Sequence, residues 1–328
     1  MHGSLPPESS IVSWLAEAFK HPHFAVTPIT GDASSRCYYR VQLANASFIV
    51  QSSPPQESLT PFLNVRQVLQ NIGLSVPMIF ATNKEKGFLL LSDLGSTQYG
   101  ALITQQKKVN HLYRCAFYPL IWMQRYLIPT ACPIILPNFS AAFMTQQLNL
   151  FKIWYNEHHL QRRLSGDAMQ ELDELLQQIV ETISKQPMVF SHMDYHSRNL
   201  MVLNKRKMPG ILDFQDAMWA PCTLDLVSLL KDCYIYWPRE QVVQWVHEFY
   251  QLKQAETAGA LAVDFHVFLK WFDWTGVQRH LRILGTFSRL HYMYGKSSYL
   301  QYIPRILKDL LDMSEIYPEL RSLQHFLR

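Results

Sequence analysis

Residues 191–200, SHMDYHSRNL, place His192, Asp194 and His196 at alternate positions, with Asn199 five residues beyond Asp194. Alternating His and Asp residues can put three ligands on one side of an extended loop, which is one way to hold a metal ion. A metallohydrolase centre draws further histidines or carboxylates from other loops, and no second comparable cluster follows downstream. A polar loop with one histidine packed inward is the plain alternative. The spacing H-x-D-x-x-x-x-N has a third meaning. In phosphoryl transfer the Asp accepts or orients the proton of the attacking hydroxyl, and the Asn five positions on coordinates Mg²⁺. This reading requires a second metal-binding Asp soon afterwards, at the end of a strand. Asp213 stands fourteen residues after Asn199, directly behind the apolar run Gly-Ile-Leu. Asp213–Phe214 matches the start of a D-F-G metal motif, although Gln215 replaces the glycine and Asp216 adds a carboxylate.

The pairing has a physical basis. A γ-phosphoryl group moves with its charge spread over several oxygens, so the protein mainly positions reactants and supplies cations. Asp194 would be the base, Asn199 and Asp213 would hold Mg²⁺ against the phosphates of ATP, and His192 would brace the loop. Arg198, between base and metal ligand, could contact the transferring group or pair with a structural carboxylate. No G-x-x-x-x-G-K-[ST] occurs, which argues against a P-loop fold.

These residues need elements to position them. After an amphipathic stretch at 11–19, CYYRVQL and SFIVQ read as a hairpin turning at ANA. A helical pattern at 58–72 carries Phe62, Val65, Val68, Leu69 and Ile72 on one face, and VPMIFA and GFLLLSDL follow as two strands around TNKEKG. Residues 1–95 thus form a small sheet lobe with one helix. From 96 to 328 the patterns turn helical, at 107–126, 139–157, 167–185 and from 223 onward, broken by a proline-rich connection and by the short β-type runs PMVFSH, NLMVL and GILDF.

A nucleotide-covering loop is expected between the first two strands, where TGDASSRCYY lies. Gly31, Ser34 and Ser35 can offer N–H groups and hydroxyls to phosphates, and Arg36 a cation. The third strand ought to present a lysine to the phosphates; it presents Gln51. Either Arg36 or Arg40 substitutes, or Mg²⁺ carries the load, or the protein is a degenerate binder. Glu57 is the nearest carboxylate to the helix that would pair with such a lysine. Asp93, in LLLSDLG, falls at the hinge that would meet the adenine edge, or caps the next helix. Asp225 opens a helix, and a structural role is expected of it, bonding loop N–H groups behind the site.

Composition narrows the classes. A chain of 328 residues with 48% hydrophobic, 13% aromatic and 17% charged residues can bury a large core, and its net charge of +4 with no long basic run suits anionic small molecules rather than nucleic acid. Five scattered cysteines with no C-x-x-C argue against a zinc ribbon and a disulfide framework. With neither a signal-peptide pattern nor an apolar run of membrane-spanning length, a cytoplasmic protein is expected.

TGDASSRCYYRV, FSHMDYHSRNLMV, GILDFQDAMWAPCTLDLVSLLKDCY and WFDWTGVQRHLRILGTFSRLHYMYGKSSYL together resemble the aminoglycoside phosphotransferase and choline kinase superfamily. Within it the likeness is to bacterial anomeric sugar kinases acting on N-acetylmuramate and N-acetylglucosamine, and it covers residues 10–325. HSRNLM, LDFQDA and GVQRHL carry it most specifically. The resemblance implies an α+β, protein-kinase-like fold of two lobes, with ATP and Mg²⁺ as cofactors. It also implies a sugar 1-phosphate product that bypasses de novo UDP-sugar synthesis in cell-wall (peptidoglycan) recycling, and tolerance of Gln51. It places a small-molecule amino sugar against the C-terminal helices, where Trp271, Asp273, Gln278, Arg279 and His280 would form the sugar wall; Arg198 and Asp216 are further candidates for substrate contact. At helical spacing, Trp271, Trp274 and His280 are equally readable as core. A kinase of another small alcohol (an aminoglycoside, choline or a hydroxy amino acid) and a non-catalytic pseudokinase are the rivals. The basic Arg279, Arg282 and Arg289 disfavour a polycationic acceptor, and retention of Asp194, Asn199 and Asp213 disfavours the pseudokinase.

Overall fold

The structure is a computed structural model that describes residues 8–21, 23–29, 36–54, 56–105, 108–204, 207–256 and 262–328. Strands β1 (Ala25–Ile29), β2 (Cys37–Leu43), β3 (Ala46–Ser52), β4 (Ile79–Asn83) and β5 (Phe88–Ser92) form one antiparallel sheet in the order β1-β2-β3-β5-β4. Pro28 lies in edge strand β1, where a missing N–H costs no internal ladder bond. The pairing Leu43↔Ala46 leaves Ala44 and Asn45 as a tight turn, as the break at ANA implies. Alternation along the strands divides the sheet's faces. Val41, Val50, Phe88 and Leu90 pack with Ile11, Trp14 and Leu15 of α1 (Glu8–Phe19). The opposite face carries Tyr38 and Gln51, which are cross-strand partners, together with Arg40 and Ile49.

Helix α2 (Thr60–Asn71) buries Phe62, Val65, Val68 and Leu69 of the stripe read from the sequence, whereas Ile72 caps the helix and is half-buried; the helix starts with a proline in its first turn, where the ring is tolerated. The turn between β4 and β5 needs Gly87. Its φ is +69°, and a Cβ there would fall 2.4 Å from the Ser53 carbonyl oxygen.

Four short strands follow: β6 (Met188–Ser191), β7 (Leu200–Met201), β8 (Gly210–Ile211) and β9 (Met218–Pro221), with β6 paired to β9 and β7 to β8. The sequence reading covers the first three and misses β9, whose four residues are all buried and show no alternation.

The chain divides into two compact units. The first runs to Ala101, past the boundary expected at 95, and also takes Arg198–Asp216, the segment carrying Asn199 and Asp213. Pairings distant in sequence explain why. Ile211 N–H donates to Ser75 O at 2.8 Å, Val202 N–H to Thr97 O at 2.8 Å, and Phe214 stacks on Phe62 of α2 with centroids 4.9 Å apart.

The second unit contains Leu102–Ser197 and Ala217–Arg328. Its long helices are α4 (Val109–Tyr126), α5 (Ala141–Leu150), α6 (Gly166–Ser184), α8 (Arg239–Glu256), α9 (Phe265–Tyr294) and α10 (Ile303–Ile316); shorter ones are α3 (Tyr99–Thr104), which begins in the first unit, α7 (Leu224–Leu230) and α11 (Gln324–Leu327). The helix expected over 139–157 is α5 running into a π-helix, Phe151–His159. Its core is built by α5, the π-helix, α6, α9 and α10, with Trp274, Leu281 and Leu284 of α9 buried at the centre. No helix among the described residues is long and apolar enough to cross a membrane.

Candidate active site

Strand β6 ends at Ser191 and delivers His192, Met193 and Asp194 into a loop held from behind. Asp225, the second residue of α7, is 1% exposed, and its two oxygens accept the N–H groups of His192 (2.7 Å) and Met193 (3.0 Å). This is the structural role expected of Asp225. His192 is fully buried, and its Nδ1 accepts from Asp194 N–H at 3.3 Å, a bracing contact and not a ligand position. Tyr195 OH donates to Ala116 O (2.9 Å) and Ser197 Oγ to Asp232 (2.7 Å), tying down the loop beyond the base. Met193 sits at φ +78°, a left-handed conformation costly for a side chain with a Cβ, and one that persists only where the surroundings enforce it. It turns the chain so that the Asp194 carboxylate is 42% exposed while its backbone is anchored.

Asp194 has a definite electrostatic setting. Burial pushes its pKa up, but Arg279, Arg282, His196 and His192 outweigh that and hold it below the ordinary carboxylate value. Arg279 Nη2 lies 3.7 Å from Asp194 Oδ1, and Arg279 Nη1 donates to Met193 O at 3.4 Å. Asp194 is therefore ionised at neutral pH and aimed by a guanidinium.

In the first unit, Asn199 ends a short 3₁₀ turn (Ser197–Asn199) and Asp213 follows β8. Asn199 Nδ2 donates to Asp213 Oδ2 at 3.4 Å, and Leu212 N–H donates to Asn199 O at 3.0 Å, so the β7–β8 pairing brings carboxamide and carboxylate together. Asp213 is the second non-glycine functional residue in a left-handed conformation, φ +61°, with an exposed carboxylate. Gln215 Nε2 donates to Asp213 (2.9 Å) and to Asp216 (3.2 Å), aligning both acids. The donor set is oxygen-only, one carboxylate with an amide neighbour and a second carboxylate alongside. That suits Mg²⁺, which takes one or two carboxylates plus substrate phosphates and keeps several waters. No group of three or more His, Cys, Asp or Glu suited to a metal cage occurs among the described residues. Arg198 lies half-buried in the 3₁₀ turn.

The same unit answers the missing lysine. Gln51 is 1% exposed; its Nε2 donates to Ser53 Oγ at 3.1 Å, and its Oε1 has no hydrogen-bond partner among the described residues. The residue just ahead of β2 is a cation. Arg36 Nη2 bonds Glu57 Oε1 at 2.7 Å, and Arg36 Nη1 is 3.9 Å from Asp213 Oδ1. Burial lowers the Arg36 pKa, but Tyr38, Glu57 and Asp213 more than restore it, and it ends raised. Asp93 is committed within the chain: it accepts from Arg40 Nε (2.8 Å), Ser47 Oγ (2.5 Å) and Gly95 N–H (2.8 Å), shaping the turn after β5 instead of presenting a free carboxylate. Gly31, Ser34 and Ser35 lie outside the described residues.

The expected sugar wall separates by helix geometry. Asp273 and His280, seven residues apart, share one face of α9; Gln278, Arg279 and Arg282 share another. Asp273 is fully buried, held by Arg239 on both oxygens, by Tyr317 OH at 2.8 Å and by Lys231 at 3.6 Å. His280 Nδ1 faces Asp309 at 3.0 Å and its Nε2 faces Lys231 O at 3.3 Å. Both belong to a buried ion network and not to a sugar wall. Trp271 is half-buried, and its carbonyl takes bonds from Gln186 and Thr223. Arg279 does reach the base, 3.7 Å from Asp194, and with Gln147, Met193, Gln278 and Arg282 it lines a recess. The sequence reading placed Arg282 among basic residues only; its spacing of three from Arg279 was the signal that would have found it.

The sequence profile of the phosphotransferase enzyme family matches residues 25–266. The chain belongs to this family. Among curated relatives of this phosphotransferase, the N-acetylmuramate/N-acetylglucosamine kinase of Pseudomonas aeruginosa is 36% identical over 93% of the chain and 88% of its own length. The protein of the same name from Neisseria meningitidis serogroup B is 34% identical over 95% and 92%. In fold, the phosphotransferase is similar to the ethanolamine kinase of Plasmodium vivax (TM-score 0.65, 11% identity, 98% and 93% of the two chains). It is likewise similar to a spectinomycin phosphotransferase (0.61, 15%, 90% and 92%). The α+β, protein-kinase-like architecture implied by the sequence is the one found.

Proposed function

We propose that the protein is an ATP-dependent amino-sugar kinase that phosphorylates N-acetylmuramate and N-acetylglucosamine at the anomeric hydroxyl. The observation that carries this reading is an ionised Asp194, aimed by Arg279, in a chain 34–36% identical over nearly its whole length to kinases of that name. Asp194 accepts the hydrogen of the anomeric hydroxyl as that oxygen forms its bond to the γ-phosphorus and the bond to ADP breaks. A carboxylate with a lowered pKa is a weak base, but an anomeric hydroxyl is more acidic than an ordinary alcohol, which narrows the gap. Held by Asn199 and Asp213, Mg²⁺ would offset the charge of the phosphate oxygens. Arg36, fixed by Glu57, supplies the cation that Gln51 does not. An aminoglycoside or choline is itself cationic, and Arg279 with Arg282 would repel it. The product, a sugar 1-phosphate, suits reuse of cell-wall sugars.

The reading is tested by incubating the protein with ATP, Mg²⁺ and, in turn, N-acetylmuramate, N-acetylglucosamine, choline and kanamycin, following ADP release and the product by ³¹P NMR. Turnover with either amino sugar and a phosphorus signal of an anomeric phosphate is expected. Turnover confined to choline or kanamycin would replace the reading.

A further inference from the structure

Arg279 and Arg282 stand three residues apart on one face of α9, side by side, where like charges destabilise each other. Arg279 has a partial counter-charge in Asp194, 3.7 Å away. Arg282 has no carboxylate within ion-pair distance and no side-chain hydrogen bond among the described residues; Thr286 Oγ1 donates only to its backbone carbonyl. Burial lowers its pKa to about 10, and Arg279 acts in the same direction. Two guanidiniums with one shared carboxylate leave a local excess of positive charge in a desolvated place, and such an excess calls for an anion.

Both side chains line the recess beside Met193. Gln278 Nε2 donates to Gln147 Oε1 at 3.0 Å, so the polar wall between α9 and α5 is already tied. The recess offers about 10 Å³ of water-sized space, room for about one water-sized group. That space takes one oxygen of a substituent and not a whole pyranose ring. A planar guanidinium pair matches the two oxygens of a carboxylate.

We propose that this recess is the subsite for a carboxylate carried by the acceptor sugar, with Arg282 as its specificity-determining residue and Arg279 shared between that carboxylate and Asp194. The inference rests on the amino-sugar kinase reading. Of the two sugars, N-acetylmuramate carries a lactyl carboxylate and N-acetylglucosamine does not, so the subsite favours the first.

The test compares kcat/KM for both sugars in the unaltered protein, Arg282→Met and Arg282→Lys. Loss of a charge-assisted bond is expected to cost Arg282→Met about 10- to 100-fold with N-acetylmuramate, mostly in KM. Because Arg282 also helps hold Asp194 ionised, N-acetylglucosamine should lose some activity too, but at least about 10-fold less than N-acetylmuramate does, and Arg282→Lys should recover part of the difference. A second measurement needs no variant: in calorimetric titration of the unaltered protein, N-acetylmuramate whose lactyl carboxylate is replaced by the primary amide should bind about as weakly as N-acetylglucosamine. Equal losses with both sugars would assign Arg282 to the transferring phosphoryl group and overturn the proposal, as would an amide that binds like the acid. Failure of the unaltered protein to turn over either sugar would instead remove the kinase reading, and the proposal with it.

Discussion

Arg36 and Glu57 form a 2.7 Å ion pair across 21 residues of chain, and the same guanidinium stands 3.9 Å from Asp213. In protein kinases a lysine of the third strand and a helix glutamate do this work, next to the metal-binding Asp. Here the cation beside Glu57 and Asp213 is Arg36, just ahead of β2, and Gln51 on β3 is neutral and buried. Arg36→Met should raise the KM for ATP at least about 10-fold and leave the KM for sugar within about 2-fold, with Arg36→Lys intermediate. Steady-state kinetics with each substrate varied in turn decides it; an unchanged ATP dependence would show that Arg36 only supports Glu57.

The low pKa of Asp194 has a kinetic consequence. The active form is the carboxylate, so activity is full above the ordinary carboxylate range, about 3.9, and is lost only as pH falls through the still lower folded value. Between pH 5 and 8 no acid limb should therefore come from Asp194. Arg279→Met removes the first of the cations holding the pKa down, while burial still raises it. The variant's acid limb should move up in pH relative to the unaltered protein, and the ratio of the two profiles isolates the shift from titration of the substrates. A ratio flat with pH would remove Arg279 as the group that tunes the base. Asp194→Asn should lose about 10²- to 10⁴-fold in kcat with nucleotide binding retained.

Gly285 lets α9 approach the junction of α5 with the π-helix. A Cβ at this position would lie 2.2 Å from the Leu150 carbonyl carbon and 2.6 Å from the Phe151 nitrogen. Both obstacles are backbone, so no rotamer change relieves them. Gly285→Ala should destabilise the protein by about 1–3 kcal/mol or more, although alanine is the better helix former. Thermal unfolding checks this; a raised midpoint would mean that the helices separate at little cost.

The parts legible in the sequence are those set by local spacing. Asp194, Asn199 and Asp213 stand out as candidates because H-x-D-x-x-x-x-N and an Asp behind an apolar run are short-range patterns, and β2 and β3 are legible because their alternation and turn are contiguous. What failed to show depends on partners distant in the chain. Glu57 gains its partner from Arg36, not from the third strand. The segment Arg198–Asp216 joins the first unit through Ser75, Thr97 and Phe62, and β9 is buried on both sides and so lacks alternation. Asp93 reads as a hinge residue or a helix cap until Arg40 and Ser47 arrive from two other strands. Trp271 through His280 read as one polar group because they are close in sequence, whereas a helix turns them to different sides.

Asp273 is where that rotation matters most for stability. It accepts both Arg239 nitrogens and Tyr317 OH, and it faces Lys231 at 3.6 Å, with no exposed surface. Contact with the side chain raises the Arg239 pKa against the lowering effect of burial. Asp273→Asn leaves the volume nearly unchanged but removes the only carboxylate on Arg239 among the described residues, while Lys231 keeps Asp309. Removing one partner from a buried pair strands the other charge, at a cost of about 3–5 kcal/mol. The midpoint of thermal unfolding should therefore fall by several degrees, while the folded variant keeps its KM for sugar within about 2-fold. A sugar-contacting Asp273 would give the reverse, a raised KM at an unchanged midpoint, and the two measurements together separate a residue that holds α9 in place from one that holds the substrate.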